Sequence, residues 1–157
     1  MANNFDFIST GDKAALIAFT TPQWLDEVKG ALEQLHYKVN TAATHGDFLL
    51  RYSRIRYEVV VVEELFCASV LTENVALQNL QQMTMSQRRH STVVLIGDSF
   101  QTYNSQQAFQ QSVHTVINPA ELFLIRDLLE KAVADNYQFL TSLRETQARI
   151  FAGKTRD

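Results

Sequence analysis

The sequence predicts an α/β fold, a doubly wound five-stranded parallel sheet of order 2-1-3-4-5 with an extended C-terminal helix. Three observations carry this expectation. Five short apolar runs alternate with longer amphipathic stretches across about 125 residues. The third and fourth runs, 57–62 (YEVVVV) and 92–96 (TVVLI), are β-branched and apolar at consecutive positions. That pattern belongs to strands buried on both faces, as in a parallel sheet covered by helices. Finally, a helix-length stretch separates each run from the next, and right-handed crossovers then make neighbouring strands parallel.

The elements follow in order. The first strand is 14–19 (AALIAF). Pro22 suits the first turn of the helix after it, and Thr21 is placed to accept from that helix's free N–H groups. Trp24, Leu25, Val28, Leu32 and Leu35 recur at helical spacing and form one apolar face. The second run, 37–43 (YKVNTAA), is less apolar, as expected of an edge strand. Thr44 followed by Asp47 resembles a capping box, with Phe48, Leu49, Tyr52 and Ile55 on the buried side.

After the third strand, Thr72 is expected to cap a helix through Val75, Leu77, Leu80, Met83 and Met85 that ends near Arg88, Arg89 and His90. After the fourth, Thr102 or Asn104 starts a short glutamine-rich helix carrying Ala108 and Phe109. The fifth strand is 113–117 (VHTVI). Asn118-Pro119-Ala120-Glu121 then supplies a cap, a proline and a third-position glutamate for a helix with Leu122, Ile125, Leu128, Leu129 and Val133. The expected organisation is an N-terminal extension (1–12), one domain (13–136) and a helical tail (137–157). The tail, with Tyr137, Phe139, Leu140, Leu143, Ile150 and Phe151, either extends the last helix or turns and packs on a partner.

Composition narrows the function. At 157 residues, 46% hydrophobic and 20% charged, the chain suits one globular domain and excludes disorder. A net charge of −3 gives no global attraction for phosphate backbones, so no nucleic-acid partner is expected. Cys67 is the single cysteine and cannot form an internal disulfide, which points to the cytoplasm. No membrane partner is expected, because the longest apolar runs are strand-sized and the N-terminus lacks the pattern of a signal peptide.

In an open α/β sheet, ligands bind beyond the carboxyl ends of the strands, near the reversal of strand order. The positions there are Phe19, Thr20 and Thr21; Glu63 and Glu64; Gly97, Asp98 and Ser99; Asn118 and Pro119. With Tyr-Glu-Val-Val-Val-Val-Glu at the third strand and Val-Ile-Asn-Pro at the fifth, the order of elements resembles response-regulator receiver (CheY-like) domains over about 13–136. The resemblance implies a flavodoxin/receiver-like fold. It also implies that Glu63 stands where the family carries the phosphoryl-accepting aspartate.

The departures from that family form a set. Where it holds Mg²⁺ with an acidic pair, this chain has Phe19, Thr20 and Thr21. Gly97, followed by Asp98 and Ser99, replaces the threonine or serine that follows the phosphoryl group. Asn118 replaces the lysine before proline and brings no positive charge. Phosphoryl transfer needs a metal and a cation to neutralise the transferring oxygens. The resemblance is therefore to a degenerate pseudo-receiver, with no catalytic residue, no metal and no cofactor expected. Glu63 either mimics the phosphorylated state permanently or is a polar strand-end residue, solvated or capping a neighbouring helix. A cation held by Glu63, Glu64 and Asp98 is an idea without a supporting motif.

Other signals are weaker. His36, His45, His90 and His114 lack metal-ligand spacing. Cys67, with no nearby histidine or basic residue, is expected to be a buried, inert thiol. Arg88, Arg89 and His90 favour a helix C-terminal dipole. The expected function is a phosphorylation-independent signalling or scaffolding module acting through protein contacts and performing no chemistry. The alternatives are an atypical receiver that is still phosphorylated and a flavodoxin-like small-ligand-binding protein.

In receiver domains the fourth helix, fifth strand and fifth helix commonly form dimers or meet effectors. The resemblance and the tail pattern together give the interface residues expected here: Tyr103, Phe109, Leu122, Ile125, Leu129, Phe139, Leu143 and Ile150. The partner is another protein or a second copy, held through the last helix and tail.

Overall fold

A computed structural model describes residues 11–84, 87 and 90–154. Five strands, β1 (Ala14–Ala18), β2 (Lys38–Ala42), β3 (Val59–Glu63), β4 (Thr92–Ile96) and β5 (Thr115–Ile117), form one sheet. Its order is β2-β1-β3-β4-β5 and every neighbouring pair is parallel, as the sequence predicts. The continuous apolar runs are explained by helices on both faces. Val59 and Val61 point to one core, with Val28 and Leu32 of α1 (Pro22–Gln34) and Leu129 of α5 (Ile125–Lys154). Val60 and Val62 point to the other. Phe48 of α2 (His45–Arg54), Leu77 and Leu80 of α3 (Val75–Gln81) and Ala108 of α4 (Ser105–Gln111) fill it.

Several helix starts differ from expectation. Thr21 stands at the N-cap of α1, but its side chain makes no capping bond. Thr44 does cap α2, accepting from the Asp47 N–H at 3.0 Å; Leu49 on that helix is exposed. Thr72 lies instead in a 3-10 turn, Leu71–Glu73, and Asn74 caps α3 through the Leu77 N–H at 3.1 Å. Asparagine reaches its own helix from that position, whereas Thr72 lies two residues too early. Met85, Arg88 and Arg89 lie outside the described residues.

Asn104, not Thr102, caps α4 through the Gln107 N–H at 2.9 Å. The Asn118-Pro119 start opens a 3-10 segment, Pro119–Leu124, with non-helical φ/ψ at Glu121, before α5 begins. Of the two expectations for the tail, the first holds: α5 runs unbroken for 30 residues, about 45 Å at 1.5 Å per residue. Among the described residues no helix is long and apolar enough to cross a membrane.

Candidate functional site

The carboxyl ends of β1 and β3 meet where the strand order reverses, and Glu63 ends β3 there. Its side chain is only 5% exposed. Both oxygens are engaged. Oε1 accepts from the backbone N–H of Thr20 at 3.2 Å and of Thr21 at 3.0 Å, while Oε2 accepts the Thr20 hydroxyl at 2.8 Å. All three donors precede Pro22, so the carboxylate ties β3 to the loop that leads into α1 and is not the cap on first-turn N–H groups that Thr21 was expected to be. Negative charge at that end of a helix is stabilised by its orphan N–H groups and dipole.

Glu64 is held as firmly on the other side. Its Oε2 accepts the Ser99 hydroxyl at 2.7 Å and its Oε1 the Ser99 N–H at 3.3 Å. To get there the side chain crosses directly over Gly97. A Cβ at Gly97 would lie 2.1 Å from Glu64 Oε1 and 2.5 Å from its Cβ. Gly97 is thus glycine because of a close approach, and the position has no room for a hydroxyl-bearing side chain. Asp98 is exposed, and its backbone carbonyl accepts from Asn118 Nδ2 at 3.4 Å.

Asn118 is consumed internally. Its Nδ2 donates to the Phe100 carbonyl at 2.8 Å, its Oδ1 accepts from the Ala120 N–H at 2.9 Å, and its own N–H donates to Thr102 Oγ1 at 2.9 Å. These bonds tie the β4–α4 loop to the turn after β5. The structure brings Glu63, Thr20 and Thr21 together in one cluster and Glu64, Gly97 and Ser99 in a second. Asn118 and Asp98 belong to neither.

Sequence reasoning missed Asn74. It is 0% exposed, and its Nδ2 donates to the carbonyls of Glu63 at 2.9 Å and Glu64 at 3.1 Å while its Oδ1 caps α3. One asparagine therefore fixes the backbone on which both glutamates sit. An asparagine just before an apolar helical run is a cap signal in its own right, and Thr72, two residues earlier, offers a competing one.

The magnesium implied by the resemblance does not fit these residues. Magnesium takes several hard oxygen ligands that usually include carboxylates, whereas Phe19, Thr20 and Thr21 stand where the acidic pair would be and the carboxylates of Glu63 and Glu64 are turned toward separate loop donors. Among the described residues no group of three His, Cys, Asp or Glu side chains is placed to hold a metal ion. Cys67 is exposed rather than buried, in a turn where its Sγ donates to the Ala43 carbonyl at 3.3 Å. Two of the histidines serve local structure. His45 Nε2 donates to the Phe66 carbonyl at 2.9 Å, and His114 Nδ1 accepts the Val93 N–H at 2.9 Å.

The expected interface residues divide. Leu122, in the 3-10 segment, and Ile125 and Leu129, on the face of α5 that packs on the sheet, are buried in the core shared with α1, so none of them presents a surface. Tyr103 is half-buried, with its hydroxyl donating to the Leu128 carbonyl at 2.6 Å and Lys131 over its ring. Burial, followed by the charge of Asp135, pushes its phenol up to about 12. Phe109, Phe139 and Ile150 are exposed, and Leu143 is half-buried.

No protein-family model matches the chain, and no curated protein does. Solved structures do. A response-regulator receiver domain protein (CheY-like) from Methanospirillum hungatei JF-1 superposes with a TM-score of 0.62 at 16% identity, covering 82% of this chain and 98% of that one. The receiver domain of the sensor histidine kinase PA1611 from Pseudomonas aeruginosa, with magnesium coordinated in its active site cleft, gives 0.59 at 14%, covering 79% and 99%. A yeast Spc42 trimeric coiled coil fused to another structure gives 0.60 at 12%, covering 96% of this chain and 100% of that one. Strand order, helix placement and these superpositions agree: the chain has the fold of CheY-like receiver domains.

Proposed function

We propose that this chain is a pseudo-receiver, a signalling or scaffolding module of the two-component type that works through protein contacts and performs no chemistry. One observation carries the reading: the carboxylate at the phosphoacceptor position is buried and fully committed to the entrance of α1. A phosphoryl acceptor must present a free oxygen to the donor beside a metal. Glu63 instead acts as a brace between β3 and α1. Thr20, Thr21 and Asn118 offer neither the acidic pair nor the cation such chemistry uses. The brace also argues for a structural part for Glu63 over a permanent mimic of phosphate, since its charge is answered by α1 and not by a switch residue.

Output then passes through surface, and α5 supplies it. Beyond the domain this helix carries Phe139, Leu143 and Ile150, and the match to a coiled-coil fusion, at 96% of the chain, reaches into that segment. The test is incubation of the full chain with acetyl phosphate and magnesium, followed by intact-mass measurement. The expected result is no phosphoryl adduct. An adduct that Glu63→Gln abolishes would overturn the reading and restore an atypical, active receiver.

A further inference from the structure

The sheet has a second edge, opposite the one that Glu63 closes. There α2 and α3 end, β3 and β4 begin, and a hollow of about 690 Å³ lies between them. Its floor is fixed by the core. Tyr52 stacks on both Phe48 and Tyr57, and its hydroxyl meets Ser91 Oγ at 3.0 Å. Ser91 is 2% exposed and donates in turn to the Tyr57 carbonyl at 2.5 Å. Around the rim stand Arg54, Arg56 and His90 with the carboxamides of Asn79, Gln82 and Gln87. Among the described residues no Asp or Glu lines the hollow, on a chain whose net charge is −3.

The two arginines differ from most of the chain's other cations in being uncommitted. Arg51, Arg126, Lys131 and Arg149 each pair with a carboxylate on their own helix. Arg54 and Arg56 make no ion pair or hydrogen bond among the described residues. Glu58, the acid nearest them in sequence, acts instead on Tyr37 in the core shared with α1. The C-termini of α2 and α3 bring about half a negative charge each to this rim, so two full guanidinium charges exceed what the helices need. Guanidinium groups present fixed forks of N–H donors that match phosphate oxygens, and carboxamides add neutral donors. The volume falls in the range of small-molecule sites and is more than one tetrahedral anion fills.

We propose that this hollow binds a small ligand carrying a diphosphate group, free or ester-linked, gripped by Arg54 and Arg56. The site lies at the far end of the strands from Glu63, so it stands or falls separately from the pseudo-receiver reading. Isothermal titration calorimetry of the full chain with pyrophosphate and with ADP, in metal-free buffer, tests it. The expected result is saturable binding at one site per chain. Arg54→Gln/Arg56→Gln should weaken it roughly tenfold or more, as loss of charge-assisted hydrogen bonds requires. Raising the salt concentration should weaken it too, since the rim is exposed.

Lys29→Gln/Lys38→Gln removes the same charge from outside the hollow and should leave the affinity unchanged. All four side chains are exposed and outside both cores, so circular dichroism should show both double variants folded. Binding of both probes upholds the proposal with an ester-linked ligand, and binding of pyrophosphate alone upholds it with the free ion. No saturable heat from either probe at millimolar concentration overturns it, as does binding of ADP without pyrophosphate. Equal weakening by the two double variants also overturns it, because net charge and not the hollow would then hold the anion. Sulfate bound as tightly as pyrophosphate overturns it as well, since the site would not distinguish a diphosphate from a single anion.

Discussion

Glu63 shows how much one added methylene changes at a strand end. It lets the carboxylate reach both amides at the start of α1, and three donors converge on two buried oxygens. Bonds to a charged acceptor contribute about 1.5–3 kcal/mol, and removing the acceptor strands its donors. Glu63→Ala is therefore expected to lower stability by about 2–3 kcal/mol, read as a shift in the urea midpoint with unchanged slope. Tyr37 gives a residue-scale pH effect. Burial, followed by the charge of Glu58, pushes its phenol up to about 12. A phenol raised in the folded state contributes stability below its unfolded pKa of about 10 and loses it as pH rises toward 12. Thermal melts between those limits should fall steeply, and Tyr37→Phe combined with Tyr103→Phe should flatten that fall.

At the scale of elements, caps decide where helices begin, and α3 depends on one side chain. Asn74 caps α3 and simultaneously binds the Glu63 and Glu64 carbonyls. Asn74→Ala removes a cap and leaves two carbonyls without their donor, for an expected loss of about 2–3 kcal/mol by urea denaturation. Thr44→Ala removes only a surface cap and should cost about 1 kcal/mol. The helices themselves were legible as amphipathic stretches, but their first residues were not. Several threonines and asparagines compete near each start, and only the folded backbone shows which of them reaches a free N–H.

At the scale of the molecule, the two glutamate clusters close the crevice at the sheet's carboxyl edge. Trp24 lies on the first turn of α1, next to the donors that hold Glu63. A magnesium titration to millimolar concentration is expected to leave its emission and the urea midpoint unchanged. Quenching that saturates would show an ion displacing Thr20 from Glu63 and would count against the closed crevice. The same compactness explains why Ile125 and Leu129 are core residues, with Leu122 of the preceding 3-10 segment beside them: a helix covering a sheet must give one whole face to it.

Local pattern by itself determined the five strands, their burial on both faces and the doubly wound order. Each of these follows from periodicity, run length and chain handedness, all properties of neighbours along the chain. It also located the positions at the strand ends. Only the tertiary structure decided what those positions do. Glu63 bonds to residues 42 and 43 positions away, and Glu64 closes over Gly97 to reach Ser99. No spacing rule encodes contacts of that kind, because they form only once separate strands lie side by side and their ends converge.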